Sequence, residues 1–364
     1  MSHRVGIIGL QPGRSWAARA HLPALAALGN EFEVAGVANS SKESAEAAAK
    51  ATGVARAFAS TAELVASKDI DIVVVTVKVP HHLALVKAAL ENGKHVFCEW
   101  PLGNGLAEAE ELAALARAKG VVTVVGTQAR VAPEVMYLRD LVKEGHIGEV
   151  LSSTVTAFAN GWGAEIPSES LMGYLLDRAN GASMLSIPVG HTLAGIQEAL
   201  GNITDLSAVL ANRRTEVKVL DTNRTLPMTS HDQVLVAGVL ANGAPLSLHY
   251  RGGAPRGGPG LVWEVNGTAG DLRITGPFGH TQLVPLAIES LRGDAKEYAR
   301  LEVPASFREG LDLDAGAGNV ARLYKRMAAD LRDGTRTAPT FDDAVALHRV
   351  LDTIERSRPT RVPT

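Results

Sequence analysis

Val5-Gly6-Ile7-Ile8-Gly9-Leu10-Gln11-Pro12-Gly13-Arg14-Ser15-Trp16 decides how this chain is read. A short β-rich run breaks into a glycine-containing loop, and a helix-like stretch then runs toward His21, before Pro23. Glycines there let the backbone turn tightly and approach a pyrophosphate, while a helix N-terminus supplies free N–H groups. The G-x-G-x-x-G form is not intact, because Gln11 stands two residues after Gly9, although Gly13 is present. What separates the loop from an ordinary glycine turn is its place, directly after the first strand of a strand–helix series.

That series runs outward to about residue 150. Phe32–Val37, Ile70–Val77, His95–Cys98 and Val121–Val125 read as further strands. Lys42–Thr52, Ala62–Ser67, Leu83–Glu91 and Leu106–Lys119 read as helices between them. Ser60-Thr61-Ala62-Glu63 is a capping box, and Gly120 sits where a helix C-cap glycine belongs. Continuous Val/Ile runs mean strands covered on both faces, and strand–helix alternation means right-handed βαβ units. The expected first domain, residues 1–127, is an α/β Rossmann doubly wound parallel sheet.

Beyond it the pattern changes. Leu151–Phe158, Val234–Leu240, Pro245–Tyr250, Leu261–Val265 and Asp271–Ile274 read as strands with few helices between them. Asn242-Gly243 and Asn266-Gly267 are hairpin signals. Val320–Arg332, ending at Gly334, and Asp342–Ser357 read as closing helices. The expected second domain, 128–364, is an α+β domain with a largely antiparallel open sheet, and its final helix is free to pack back on the first. Arg251–Gly260, rich in Gly, Pro and Arg, reads as a mobile loop.

Composition narrows the class. The 364 residues suit about two domains, and 46% hydrophobic with 21% charged residues is ordinary for a globular protein. A net charge of −3 gives no electrostatic case for nucleic acid or an anionic membrane. The single cysteine, Cys98, makes no internal disulfide and reads as a small buried apolar residue. The start is too short and glycine-broken for a signal peptide, and no apolar run approaches about 20 residues. The expected location is cytoplasmic.

The end of the second strand carries the nucleotide preference. NAD-binding chains usually place an acid there for the ribose 2′-OH. Here Ala38-Asn39-Ser40-Ser41-Lys42 holds no acid to repel a 2′-phosphate, Asn39, Ser40 and Ser41 can donate, and Lys42 adds charge. NADP(H) is therefore expected, with NAD(H) also possible. A polar helix N-cap with a solvated Lys42 explains the same residues.

His95-Val96-Phe97-Cys98-Glu99-Trp100-Pro101-Leu102 completes a signature. With the opening loop, Gly126-Thr127-Gln128-Ala129-Arg130, Gly145–Val150, Gly190-His191-Thr192 and Phe341–Ala344, it resembles the Gfo/Idh/MocA oxidoreductases over essentially the whole chain. The resemblance implies a nicotinamide dinucleotide, a sugar-like polyol or keto-sugar, and a homodimer or homotetramer paired through the second domain's open sheet face. Two departures stand out. The family's Glu-Lys-Pro lysine is here Trp100, which is neither acid nor base. The acid expected four residues before the catalytic His is Ile187. Glu-Trp-Pro, Ala157–Trp162, His231-Asp232 and Gly252-Gly253 look most like the branch that includes the fungal galactose-pathway repressor, a regulator on the same fold.

The candidate residues follow. Gly9, Leu10, Gln11, Gly13, Arg14, Ser15 and Trp16 would cradle the cofactor. Thr76, Val77 and Lys78 lie at the C-terminal edge of the strongest strand, where open α/β sheets bind ligands. Lys78 replaces the missing lysine, contacts the cofactor, or is simply solvated. The resemblance adds His82, Glu99, Trp100 and Gln128 on the cofactor side. His191 is the best remaining proton-handling group, because an imidazole titrates near neutrality; the alternative is a histidine that only binds or packs. Tyr174 and Asp177 complete a relay or form a helix-surface pair. Arg130 contacts substrate or makes a salt bridge at the domain junction. Trp162 walls a sugar site or packs. His81-His82 lacks any accompanying ligand set, so no metal is expected. Two functions compete: an NAD(P)-dependent oxidoreductase, and a non-catalytic dinucleotide-binding regulator with a protein partner.

Overall fold

The computed structural model describes residues 2–357, which divide into two compact units. The first begins with strands β1 (His3–Ile8), β2 (Phe32–Ala38), β3 (Ile72–Val75), β4 (His95–Glu99) and β5 (Thr123–Gly126). All pair in parallel, in the order β2-β1-β3-β4-β5. Helices α1 (Leu22–Ala27), α2 (Lys42–Thr52), α3 (Thr61–Ala66), α4 (His82–Glu91) and α5 (Leu106–Lys119) alternate with them. All four residues of β3 are buried, as its unbroken Ile/Val run requires of a sheet covered on both faces. Burying each such side chain stabilises by about 1.5–3 kcal/mol. Ser60 accepts from the Glu63 N–H at 3.1 Å, the capping box read from sequence, and Gly120 ends α5 in the left-handed region.

Among the described residues, the second unit covers 129–310 and 349–357. Its strands are β6 (Val150–Ala159), β7 (Glu165–Ile166), β8 (Ile203–Ala211), β9 (Glu216–Val219), β10 (Arg224–Pro227), β11 (Gln233–Leu240), β12 (Pro245–Gly252), β13 (Leu261–Gly267), β14 (Gly270–Gly276), β15 (Ala287–Arg292) and β16 (Ala299–Leu301). Eight of them form one sheet, β16-β15-β14-β13-β6-β12-β11-β8, antiparallel except where β6 meets β12; β10-β9-β7 form a small second sheet. Its helices are α6 (Pro133–Lys143), α7 (Glu169–Met172) and α8 (Gly190–Leu200). Asn242-Gly243 turns β11 into β12. Asn266-Gly267 is not the second turn: both residues pair within the β13–β14 ladder, and the chain reverses at Thr268-Ala269. One face of the large sheet holds an open depression of about 470 Å³, lined by Thr154, Thr156, Val209, Leu235 and His249 among others. Val209 and Leu235 are exposed there.

The chain then returns. Residues 311–348 group with the first unit, so neither unit is continuous in sequence as a division at 127/128 implies. They carry α9 (Ala315–Asp333) and the first half of α10 (Phe341–Arg356). The cause is apolar: Tyr324 of α9 is fully buried against Phe32 and Phe97, with ring centroids 5.3 and 4.9 Å apart. The Val125 N–H donates to the Pro339 carbonyl at 2.9 Å. No helix of the described residues is long and apolar enough to cross a membrane.

Candidate functional site

In the first unit the site is the C-terminal edge of the parallel sheet. Gly9 leaves β1 at φ +103°, and a Cβ there would lie 2.8 Å from Val77 Cγ1, so the crossing of the two strand ends needs glycine. Leu10 is buried, whereas Gln11, Gly13 and Arg14 are exposed. Ser15 closes the loop: its Oγ accepts from the Gln11 N–H at 2.9 Å and lies 3.0 Å from the Gln11 carbonyl. Trp16 is partly buried, its Nε1 has no hydrogen-bond partner, and its ring crowds Gly316. Thr76 Oγ1 donates to the Ile8 carbonyl at 3.0 Å. His82 is buried between the carbonyls of Val77 (2.9 Å) and Pro101 (2.8 Å), and burial lowers its pKa. It ties the end of β3 to the turn after β4, where the Trp100–Pro101 bond is cis. Lys78 is exposed and precedes the turn Val79–His81.

Glu99 sits at the centre of a network that no spacing announces. His21 Nε2 lies 2.9 Å from its carboxylate, and His21 Nδ1 lies 2.8 Å from the Tyr324 hydroxyl. Gln128 Nε2 donates to both Glu99 oxygens, at 3.0 and 2.7 Å. His21 and Tyr324 were not among the residues singled out from sequence, because their partners lie 78 and 303 positions away. Trp100, which the resemblance puts on the cofactor side, is a packed residue. It is 6% exposed and packs on His348 with ring centroids 4.6 Å apart.

At the end of β2, Asn39 Nδ2 donates to the Leu10 carbonyl (2.8 Å), the Ser44 carbonyl and Ser44 Oγ (3.1 Å each). Its donor capacity is therefore spent inside the protein, contrary to the sequence expectation, and its Oδ1 is a sealed acceptor with no partner. Ser41 caps α2, Ser40 is exposed, and Lys42 lies 3.6 Å from Glu46 in a solvated surface pair. The glycine crossing, the exposed loop and this unsatisfied acceptor fit a dinucleotide laid across the sheet edge.

In the second unit, His191 stands in the first turn of α8, directly after the π-helical turn Leu185–Val189 that contains Ile187. Such turns recur at functional sites. His191 is 3% exposed, and its Nδ1 has no hydrogen-bond partner. Burial, then the neighbouring His280, lower its pKa to about 3, so the ring is neutral at pH 7. Arg130 is committed to α8: Nη2 donates to Gln197 Oε1 at 3.1 Å, and Nη1 lies 3.6 Å from Glu198. Asp177 is an exposed cap, accepting from the Ala179 N–H (3.1 Å) and Thr229 Oγ1 (2.9 Å). That explains it without a relay. Tyr174 is partly buried, and burial raises its pKa. Trp162 is 1% exposed and donates from Nε1 to the Leu175 carbonyl at 3.1 Å, which makes it a packing residue. Cys98 is fully buried, and burial raises its thiol pKa well above the usual value. Among the described residues no group of three His, Cys, Asp or Glu side chains comes together to hold a metal.

The parallel sheet with this edge defines an NAD-binding Rossmann unit of the oxidoreductase type. Residues 3–127 match the family described as "Oxidoreductase family, NAD-binding Rossmann fold", and 133–276 match "Gal80p, C-terminal domain". The chain belongs to the Gfo/Idh/MocA family, in its Gal80-like branch. It is 31% identical over 303 residues to the galactose/lactose metabolism regulatory protein GAL80 of Kluyveromyces lactis, covering 78% of this chain and 66% of that protein. It is 28% identical to the dehydrogenase aclE of Aspergillus oryzae, covering 97% and 95%. A solved super-repressor mutant of Gal80p from Saccharomyces cerevisiae superposes with a TM-score of 0.89 at 24% identity, covering 98% of this chain and 96% of that one. Levoglucosan dehydrogenase in complex with NADH and levoglucosan superposes at 0.82 with 21% identity, covering 98% and 97%. These superpositions establish the fold.

Proposed function

We propose that this chain is a nicotinamide-dependent oxidoreductase acting on a hydroxyl of a sugar-like polyol, or on the matching keto-sugar. The observation that carries it is His191. A buried imidazole whose Nδ1 makes no hydrogen bond within the protein is an unsatisfied group, and a ligand hydroxyl satisfies it. The cofactor accepts or delivers the hydride when bound. The protein contributes position and a place for the hydroxyl proton, which we assign to His191 Nδ1. Trp100 takes no part in proton transfer. Lys78 and Tyr174 are the further proton-handling groups we retain, with Glu99 and Gln128 at the nicotinamide end. Under this reading residues 1–127 bind the dinucleotide, and the domain that follows binds the substrate.

For the adenosine end we propose NAD(H) rather than the NADP(H) suggested by the missing acid. An acceptor suits a 2′-hydroxyl and opposes a 2′-phosphate, and Asn39 has only an acceptor left. Lys42 is a solvated charge and adds little. A homodimer through the sheet face bearing Val209 and Leu235 accompanies this reading.

A second reading has its own support. The lysine's place is filled by a packed tryptophan, and the fungal relative is named a regulatory protein. That favours a dinucleotide-binding regulator without turnover. Calorimetric titration of the cofactor-stripped protein with NADH and NADPH, followed by single-turnover assays with polyols, separates the two. Tight NADH binding with turnover that His191→Ala abolishes is expected. Binding without turnover across the panel favours the regulator, and binding of neither nucleotide overturns both.

A further inference from the structure

His280 was not singled out from sequence, yet the fold sets it beside His191. Thr192, next to His191, has its Oγ1 3.3 Å from Thr281 Oγ1, next to His280. Thr192 Oγ1 also lies 2.6 Å from the Tyr250 hydroxyl, which donates to the Gly279 carbonyl at 2.9 Å. The loop after β14 is thus clamped to the first turn of α8. Gly279 makes the clamp close: a Cβ there would lie 2.5 Å from Tyr250 and 2.8 Å from Ala157. Trp162 lies nearly parallel to the His280 ring, at 18° and 6.3 Å between centroids, which fixes the plane of the imidazole.

Neither ring is satisfied by this arrangement. His191 Nδ1 is sealed from solvent and unpartnered. Both nitrogens of His280 are sealed as well; the Asn160 backbone favours the charged ring but closes no hydrogen bond. Burial holds His280 at about 4, so both rings are neutral at pH 7. A neutral imidazole offers one donor and one acceptor, as a hydroxyl does. An anion would call for a charge that burial opposes. A cation would need a third ligand, which the described residues do not bring.

We propose that His280 is a second ligand-binding residue, forming with His191 a two-imidazole clamp for adjacent hydroxyls of a neutral polyol. It rests on the oxidoreductase reading only for the class of ligand, since dinucleotide binding is measured independently of it. The test is a long-range proton–nitrogen NMR spectrum of the full chain labelled with nitrogen-15 histidine, titrated with molar glycerol and with myo-inositol. His191→Gln and His280→Gln assign the rings. Trp162→Phe, which changes the ring current at His280, assigns that signal if either variant fails to fold. The expected result is that both rings shift together along one binding curve, and that His280→Gln weakens the curve read at His191 about tenfold. Shifts at His191 alone overturn the clamp. Shifts at neither ring also overturn it. Failure of both NADH and NADPH to bind would instead sink the oxidoreductase reading and leave the spectra to be judged on their own.

Discussion

Restoring the family's lysine by Trp100→Lys tests what Trp100 does. The indole is 6% exposed and rests on His348, itself 4% exposed. Truncating a buried Phe or Trp costs about 3–5 kcal/mol. A lysine stem regains part of that contact, but its ammonium must be desolvated beside a neutral imidazole, which cancels the gain. The expected net loss is therefore about 3–5 kcal/mol. At roughly 2–4 °C per kcal/mol for a unit of this size, the melting transition falls by about 6–20 °C. Scanning calorimetry with and without NADH reads the shift, and a polyol assay on the same sample reads any turnover. A variant that melts within about 2 °C of wild type and turns over a polyol would refute the reasoning. The position would then be a berth for a lysine, not part of the core.

Acid should unfold the chain earlier than its carboxylates alone require. His191, His280 and His348 are held at about 3, 4 and 4, against about 6.5 for a free imidazole. The unfolded chain binds protons that the folded one refuses, so stability is complete above about pH 6.5 and is lost as pH falls toward 4, at up to about 4 kcal/mol per pH unit with all three engaged. Urea midpoints at pH 7 and pH 5 check this, and equal midpoints contradict it; His348→Phe should flatten the dependence. Gly9→Ala should weaken NADH binding at least tenfold, because its φ of +103° and the 2.8 Å approach to Val77 both forbid a side chain. Gly13→Ala, with φ +68° and open space around it, should cost much less, and equal losses in fluorescence titrations would count against the strand-end crossing.

The first unit was legible because its signals are local. Lys42–Thr52 and Leu106–Lys119 stand where the sequence puts them, since caps and apolar spacing lie within one helix. The buried Val/Ile runs announce a parallel sheet for the same reason. In the second unit the strands missed from sequence include Ile203–Ala211, Glu216–Val219 and Arg224–Pro227. Their burial alternates or is slight, so no apolar run marks them. Pro133–Lys143 was missed as well, although Pro133 at its start is a helix signal. The site divides in the same way. Gly9 follows from local pattern, and His191 from the family resemblance. Asn39 was read with the wrong polarity, because which end of an amide is spent depends on carbonyls of Leu10 and Ser44 that only the fold brings up. His21, Tyr324 and His280 gain meaning only from partners far along the chain.

The return of residues 311–348 to the first unit also sets a timetable for folding. The ribosome delivers β1 to β5 early, but Tyr324, which covers Phe32 and Phe97, and Pro339, which receives the Val125 N–H, come only after the whole of 129–310. At about 5–20 residues per second, the nascent parallel sheet waits on the order of ten seconds or more with that apolar surface uncovered. The second unit's large sheet can close before the first unit is finished, so the order of synthesis is not the order of completion. Chaperone dependence in a cell should therefore fall on the N-terminal sheet, and an isolated fragment ending near residue 128 should aggregate where the full chain does not.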